Sequence, residues 1–173
     1  MHRFNIDAEG NLNLQPSHTS SKHDFDFFEG EWTIRNRKLK TRLSNCDEWD
    51  EFDASQEVMK ILNGMGNVDF FHAMPGGRLF EGMTLRLFNP ETRLWSIYWA
   101  DSNFAKLDPP VQGSFEDHIG YFYGKDMCNG KEVVVAFQWD ARDPDAPVWS
   151  QAFSEDNGKT WEWNWYMYIK RNR

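Results

Sequence analysis

Seven polar side chains stand in stretches otherwise rich in rings and β-branched residues: Arg37, Arg86, Tyr98, Gln138, Gln151, Glu162 and Asn164. A buried polar group left unpaired costs roughly 1–3 kcal/mol, so such groups pair with each other, with water or with a ligand. Two readings follow. Either these side chains face solvent and form structural networks, or some converge in a cavity and orient a mostly apolar guest. In the second reading Trp and Tyr supply stacking area, and an Arg or a Gln/Asn pair fixes a carboxylate or carbonyl end. The candidate ligand-binding residues are Arg37, Arg86, Tyr98, Trp99, Gln138, Gln151, Trp163 and Asn164.

Other chemistries have weaker footing. General acid–base catalysis of the isomerase, cyclase or hydratase type needs a carboxylate or His with a shifted pKa beside an apolar pocket. Glu81, Asp101, Glu162 and His118 are candidates, with no spacing argument behind them. Carbohydrate binding would need several Trp exposed in one groove. The histidines are His2, His18, His23, His72 and His118, and none forms an HxxxH or HxH pair; Cys46 and Cys128 give no CxxC. No metal and no cofactor is expected, although His72 or His118 could in principle serve as one axial haem ligand. Gly64-Met65-Gly66 lacks the third glycine of a dinucleotide loop, and neither a P-loop nor a GxSxG elbow occurs.

Ser154-Glu155-Asp156-Asn157-Gly158-Lys159-Thr160-Trp161 matches the Asp-box pattern SxDxGxTW known from sialidases and other propellers. Its spacing suits a hairpin in which Asp and Ser hold the turn, Gly takes positive φ and Trp packs beneath. A single copy in a chain too short for six four-stranded blades reads as a structural hairpin.

The elements that must position these residues are strands. From Asp24 onward, short segments rich in aromatic and β-branched residues alternate with turn signals, as in an all-β sandwich or barrel. The expected strands are Glu31–Leu39, Glu48–Phe52, Val68–Ala73, Leu79–Phe88, Trp95–Ala100, Val111–Phe115, Gly120–Gly124, Lys131–Asp140, Val148–Ser154 and Thr160–Lys170. Pro75-Gly76-Gly77, Asn89-Pro90-Glu91-Thr92, Asp108-Pro109-Pro110, Asn129-Gly130, Asp143-Pro144-Asp145 and Asp156-Asn157-Gly158 provide the reversals. Asp53-Ala54-Ser55-Gln56 resembles a capping box. The residues after it read as a strand, with a short helix as the alternative. A brief helical turn is expected at Asp24–Phe28. Residues 1–23 read as a flexible polar arm and 24–173 as one barrel domain.

In the last strand Trp161, Trp163, Trp165, Met167 and Ile169 alternate with Glu162, Asn164, Tyr166, Tyr168 and Lys170. Both faces carry large rings, so period 2 does not say which points inward. A closed barrel accounts for this, one face lining the interior and the other packing under the N-terminal segment, a helix or a partner subunit.

Composition narrows the partners. The 173 residues include 19 Lys+Arg and 27 Asp+Glu, a net charge of −8, with 14 Phe, 9 Trp and 5 Tyr. Such a ring content can bury enough apolar surface to fold. The acidic balance, without a Lys/Arg cluster, argues against nucleic acid or an anionic membrane, and no apolar run approaches a membrane span. The N-terminal stretch has no apolar h-region, and the two distant cysteines read as reduced thiols. A cytoplasmic location is expected. A homodimer would follow from an unpaired edge strand or an exposed aromatic face.

His23-Asp24-Phe25-Asp26-Phe27-Phe28-Glu29-Gly30-Glu31-Trp32 resembles the FDFxxGxW opening of a group of uncharacterised bacterial proteins with a calycin-like β-barrel, distant in fold from lipocalins and fatty-acid-binding proteins. The blocks Thr84–Pro90, Trp95–Ser102 and Trp149–Ser154, with Asn164-Trp165, are similar to the same group. The resemblance spans about residues 23 to 171. It implies a fold, an antiparallel closed or nearly closed barrel of about 8–10 strands with a short N-terminal helical turn, and carries no catalytic residues with it. The expected function is binding of a small apolar or aromatic molecule in the barrel interior.

Overall fold

The computed structural model describes residues 4–172. Ten strands form one closed antiparallel barrel: β3 (Gly30–Leu39), β4 (Trp49–Ile61), β5 (Gly66–Ala73), β6 (Phe80–Asn89), β7 (Leu94–Asp101), β8 (Val111–Glu116), β9 (Ile119–Cys128), β10 (Lys131–Asp140), β11 (Val148–Ser154) and β12 (Glu162–Arg171). Each strand pairs with the next, and β12 returns to pair with β3, so the barrel has no unpaired edge strand. The all-β barrel expected from the sequence is the observed fold. Among the described residues, no helix is long and apolar enough to cross a membrane.

The ambiguous segment is strand. The capping-box-like Asp53-Ala54-Ser55-Gln56 lies inside the 13-residue β4, with Ala54 opposite Ile34 on one side and Ala73 on the other. Pairing on both flanks outweighs a local helical cue. The helical alternative survives only as a 3₁₀ turn at Leu62–Gly64.

One end of the barrel is stoppered by the 3₁₀ turn Asp26–Phe28 and the residue before it. Phe25 packs against Trp95, Phe115, Phe122 and Trp139, and Phe28 against Trp32 and Trp139. The indoles of Trp32 and Trp95 donate to the carbonyls of Phe28 and Ser21, at 2.9 and 3.1 Å. The sequence opening that carries the family resemblance thus supplies the barrel's floor.

The stretch expected as a flexible arm is folded over residues 4–14. β1 (Phe4–Ile6) and β2 (Leu12–Leu14) form a hairpin whose Phe4, Leu12 and Leu14 cover an outer aromatic patch of Tyr121, Tyr123, Trp161 and Trp163. Farther along, Ser17 is buried; its amide donates to Ser114 Oγ at 2.9 Å and its hydroxyl to the carbonyl of Phe115. His2 lies outside the described residues.

The Asp-box is a hairpin turn, as its spacing implies. Asp156 Oδ1 accepts from Ser154 Oγ (2.8 Å) and from the amides of Lys159 (3.0 Å) and Thr160 (2.8 Å), and Gly158 sits at φ +85°.

Candidate functional site

Inward-facing residues follow from register. Trp32, Ile34 and Asn36 on β3 are 0–2% exposed, and the alternation carries round the barrel. Above the aromatic floor the lumen holds a cavity of about 130 Å³. Its rings are Trp99, Phe137, Trp139, Trp149 and Trp165, with Phe71 and Phe153; its polar members are Gln56, Thr84, Arg86 and Gln151, with Asp108, Lys125 and Asp126 towards the mouth.

Of the eight sequence candidates, the structure brings Arg86, Trp99 and Gln151 to the cavity wall. Asn164 stands behind them: fully buried, it accepts from Gln151 Nε2 at 2.9 Å. The other four are placed elsewhere. Arg37 is on the outer wall, its guanidinium 4.2 Å from the Trp49 ring centroid. Tyr98 and Gln138 alternate out of phase with the cavity residues Trp99 and Phe137 and Trp139, so they also point outward. Trp163 is turned outward by a bulge in β12. Gln151 faces Trp165 while Ala152 faces Trp163, leaving Asn164 as the extra residue. Trp165, Met167 and Ile169 therefore face the lumen, while Trp161 and Trp163 pack under the hairpin.

The acid–base candidates do not assemble. Glu81 is on the surface, 3.3 Å from His72 Nε2, and His118 lies in the β8–β9 turn with φ +65°. Neither His72 nor His118, the histidines weighed from sequence as axial ligands, lines the cavity. Glu162 is engaged with the backbone, accepting the Leu43 amide at 2.9 Å. Asp101 accepts from Trp99 Nε1 at 3.2 Å, orienting that ring at the mouth. No group of three or more His, Cys, Asp or Glu able to hold a metal occurs among the described residues.

The floor is electrostatically organised. Arg86 Nη1 donates to Asp69 Oδ2 at 2.6 Å and to Asn67 Oδ1 at 2.9 Å, and Asp69 Oδ1 accepts the Thr84 amide at 3.3 Å. The guanidinium lies 5.2–5.6 Å from the rings of Phe25, Phe28 and Trp139. At the mouth, Lys38 Nζ stands 4.1 Å over Trp165, and burial, with help from Arg42, pushes the amine down to about 8. Burial, with repulsion from Asp126 and Asp101, raises the Asp108 carboxyl from its ordinary value.

Sequence reasoning missed Gln56, Thr84, Lys38 and Asp108. Gln56 carries only a capping-box signal in the sequence, and Thr84, two positions from Arg86, only its place at the start of a family-like block; neither pointed to a cavity. Asp108 was legible only as a turn residue before Pro109-Pro110.

No family model and no curated protein matches the chain. Among solved structures it is similar to the S-type phycobiliprotein lyase CPES from Guillardia theta, with a TM-score of 0.62 at 9% identity, over 90% of this chain and 94% of that one. What the two share is the fold alone, in this chain a closed ten-strand antiparallel barrel.

Proposed function

We propose that this barrel binds a small apolar or aromatic molecule in its lumen. The observation that carries the reading is the ring-lined cavity, in which a few polar groups interrupt an otherwise apolar wall. Its size bounds the guest. An apolar cavity of about 150 Å³ holds a benzene molecule, so about 130 Å³ suits a single ring. The likeness to a phycobiliprotein lyase raises a bilin as a guest; one that large requires Trp99, Trp165 and the β7–β8 loop to move aside. Titration of single-ring compounds against tryptophan fluorescence tests the reading, since Trp99, Trp139, Trp149 and Trp165 all line the cavity. Saturable quenching and a one-to-one adduct in native mass spectrometry are expected. An unresponsive spectrum across the panel would remove the proposal.

A second reading, acid–base catalysis in the same cavity, rests on Asp108, whose raised carboxyl stands at the mouth beside the apolar wall. It predicts turnover lost in Asp108→Asn with guest affinity retained.

The free Cys46 and Cys128 agree with a reducing cytoplasm. With the barrel closed, a homodimer would use an outer face such as that of Tyr166 and Tyr168, whose rings lie 6.4 Å apart and nearly parallel. Size-exclusion chromatography of Tyr168→Glu against the parent would test it.

A further inference from the structure

We infer that the guest is an uncharged, single-ring molecule bearing a carbonyl oxygen, held ring against rings and oxygen against the β4–β6 wall. This rests on the lumen-binding reading above and names the chemistry of that same site.

The lumen has two unlike halves. In a ring of ten strands β5 lies opposite β10. Gln56 on β4, with Thr84 and Arg86 on β6, flank β5; Phe137, Trp139 and Trp149 lie across from them on β10 and β11. Phe71 on β5 stands among the polar groups, and Gln151 on β11, which donates to Asn164, stands among the rings; a planar guest spanning the lumen meets most of the free hydrogen-bonding groups on the β4–β6 side and mostly aromatic faces across from them.

The polar half has unused capacity. Gln56, Thr84 and Arg86 are 7%, 6% and 3% exposed and all line the cavity. Among the described residues, the Gln56 carboxamide and the Thr84 hydroxyl make no side-chain hydrogen bond. Arg86 commits Nη1 to Asn67 and Asp69, which leaves Nη2 and Nε without a partner. Buried donors of this kind are matched by acceptors. Arg86 only donates, while the hydroxyl and carboxamide can do either, so an oxygen acceptor satisfies the set.

Charge decides between a carbonyl and a carboxylate. Asp69, with a side chain 0% exposed, already neutralises Arg86 at 2.6 Å. A carboxylate on this wall would be buried without a net counter-charge, and it would pass Asp108 and Asp126 on the way in, where the neighbouring Lys125 is already paired with Glu132 at 2.6 Å. The competing anion site is the mouth, where Lys38 and Arg42 stand over Trp165 and Phe153.

The test uses three probes of similar shape on the full-length protein at pH 7: acetophenone, ethylbenzene and benzoate, titrated by calorimetry. Acetophenone is expected to bind about tenfold more tightly than the other two, the equivalent of one buried hydrogen bond. Thr84→Val and Gln56→Leu, with folding checked by thermal melting, are each expected to weaken acetophenone about five- to tenfold while leaving ethylbenzene unchanged. Ethylbenzene equal to acetophenone, or acetophenone unaffected by both substitutions, would overturn the inference while leaving lumen binding intact. Benzoate binding best, with the advantage lost in Lys38→Met, would move the recognition site to the mouth. Failure of all three probes would take down the lumen-binding reading, and this inference with it.

Discussion

Arg86 and Asp69 meet at 2.6 Å inside the barrel, with 4% and 0% of their side chains exposed. They sit on neighbouring strands, β6 and β5, directly above the aromatic floor. Taking two charges out of water is expensive, so such a pair is weak evidence for stability, whereas removing one partner leaves an uncompensated charge. Asp69→Asn is therefore expected to cost about 3–5 kcal/mol in urea unfolding. The double change Asp69→Leu with Arg86→Met should cost far less, because no charge remains buried. A single mutant within about 1 kcal/mol of the parent would contradict this account.

Gly82 makes room for Trp99. A Cβ there would lie 2.1 Å from the indole Cη2, and the ring is held by stacking on Phe80 and by its bond to Asp101. Gly82→Ala must push the indole out of its place on the cavity wall. The expected loss is about 1–3 kcal/mol, with a shifted tryptophan emission and weaker binding of whichever probe binds the parent. Unchanged emission would show that Trp99 does not depend on this glycine.

Lys38 gives a pH signature. In the unfolded chain its amine titrates near 10.4, and in the fold near 8. Between these values the unfolded state holds more protons, so this group's contribution to stability rises with pH across that window. Below about pH 8 the native state keeps a charged amine half-buried, at its greatest penalty. Lys38→Met is expected to be more stable than the parent at pH 7.5, the gap narrowing by about 1 kcal/mol at pH 9. A gap that stays constant from pH 7.5 to 9 would mean the amine is better solvated than its position over Trp165 implies.

The β1–β2 hairpin covers Tyr123, which is 2% exposed, and Ala152, which is 0% exposed. Phe4 lies 4.5 Å from the Tyr123 ring, centroid to centroid. Removing residues 1–14 is expected to cost roughly 2–4 kcal/mol of apolar burial and to leave a sticky aromatic face. Light scattering should then show concentration-dependent association that the full chain lacks. A monomeric, equally stable truncation would make the hairpin dispensable.

The strands were legible because turn chemistry brackets them: Lys131–Asp140 and Val148–Ser154 begin and end where Asn129-Gly130, Asp143-Pro144 and the Asp-box require. Facing was not. Both sides of β12 are aromatic, and one unpaired residue, Asn164, reverses the side chains before it relative to those after it. Trp163 was assigned to the same face as Trp165 on an uninterrupted period of two, which a bulge breaks without a glycine or proline to announce it. Arg37, Tyr98 and Gln138 were picked by type alone, and polarity among rings does not separate an outer wall from a lumen when both are clad in aromatics. The hairpin left a fainter trace: Phe4-Asn5-Ile6 and Leu12-Asn13-Leu14 alternate on either side of Gly10, but three-residue strands are too short to stand out in a polar stretch.

The seam between β3 and β12 joins the first and last staves of the barrel, with Trp165 bonded to Asn36 129 positions away. On a ribosome, the cylinder cannot shut until β12 has emerged, so the nascent meander holds its lumenal indoles open to solvent and to chaperones for most of its synthesis. Contacts this distant in sequence also slow refolding. Because the two staves end up side by side, a circular permutant cut at one of the mouth loops should form a different seam last, provided its new linker keeps the β1–β2 hairpin and the Phe25–Phe28 floor ahead of β3.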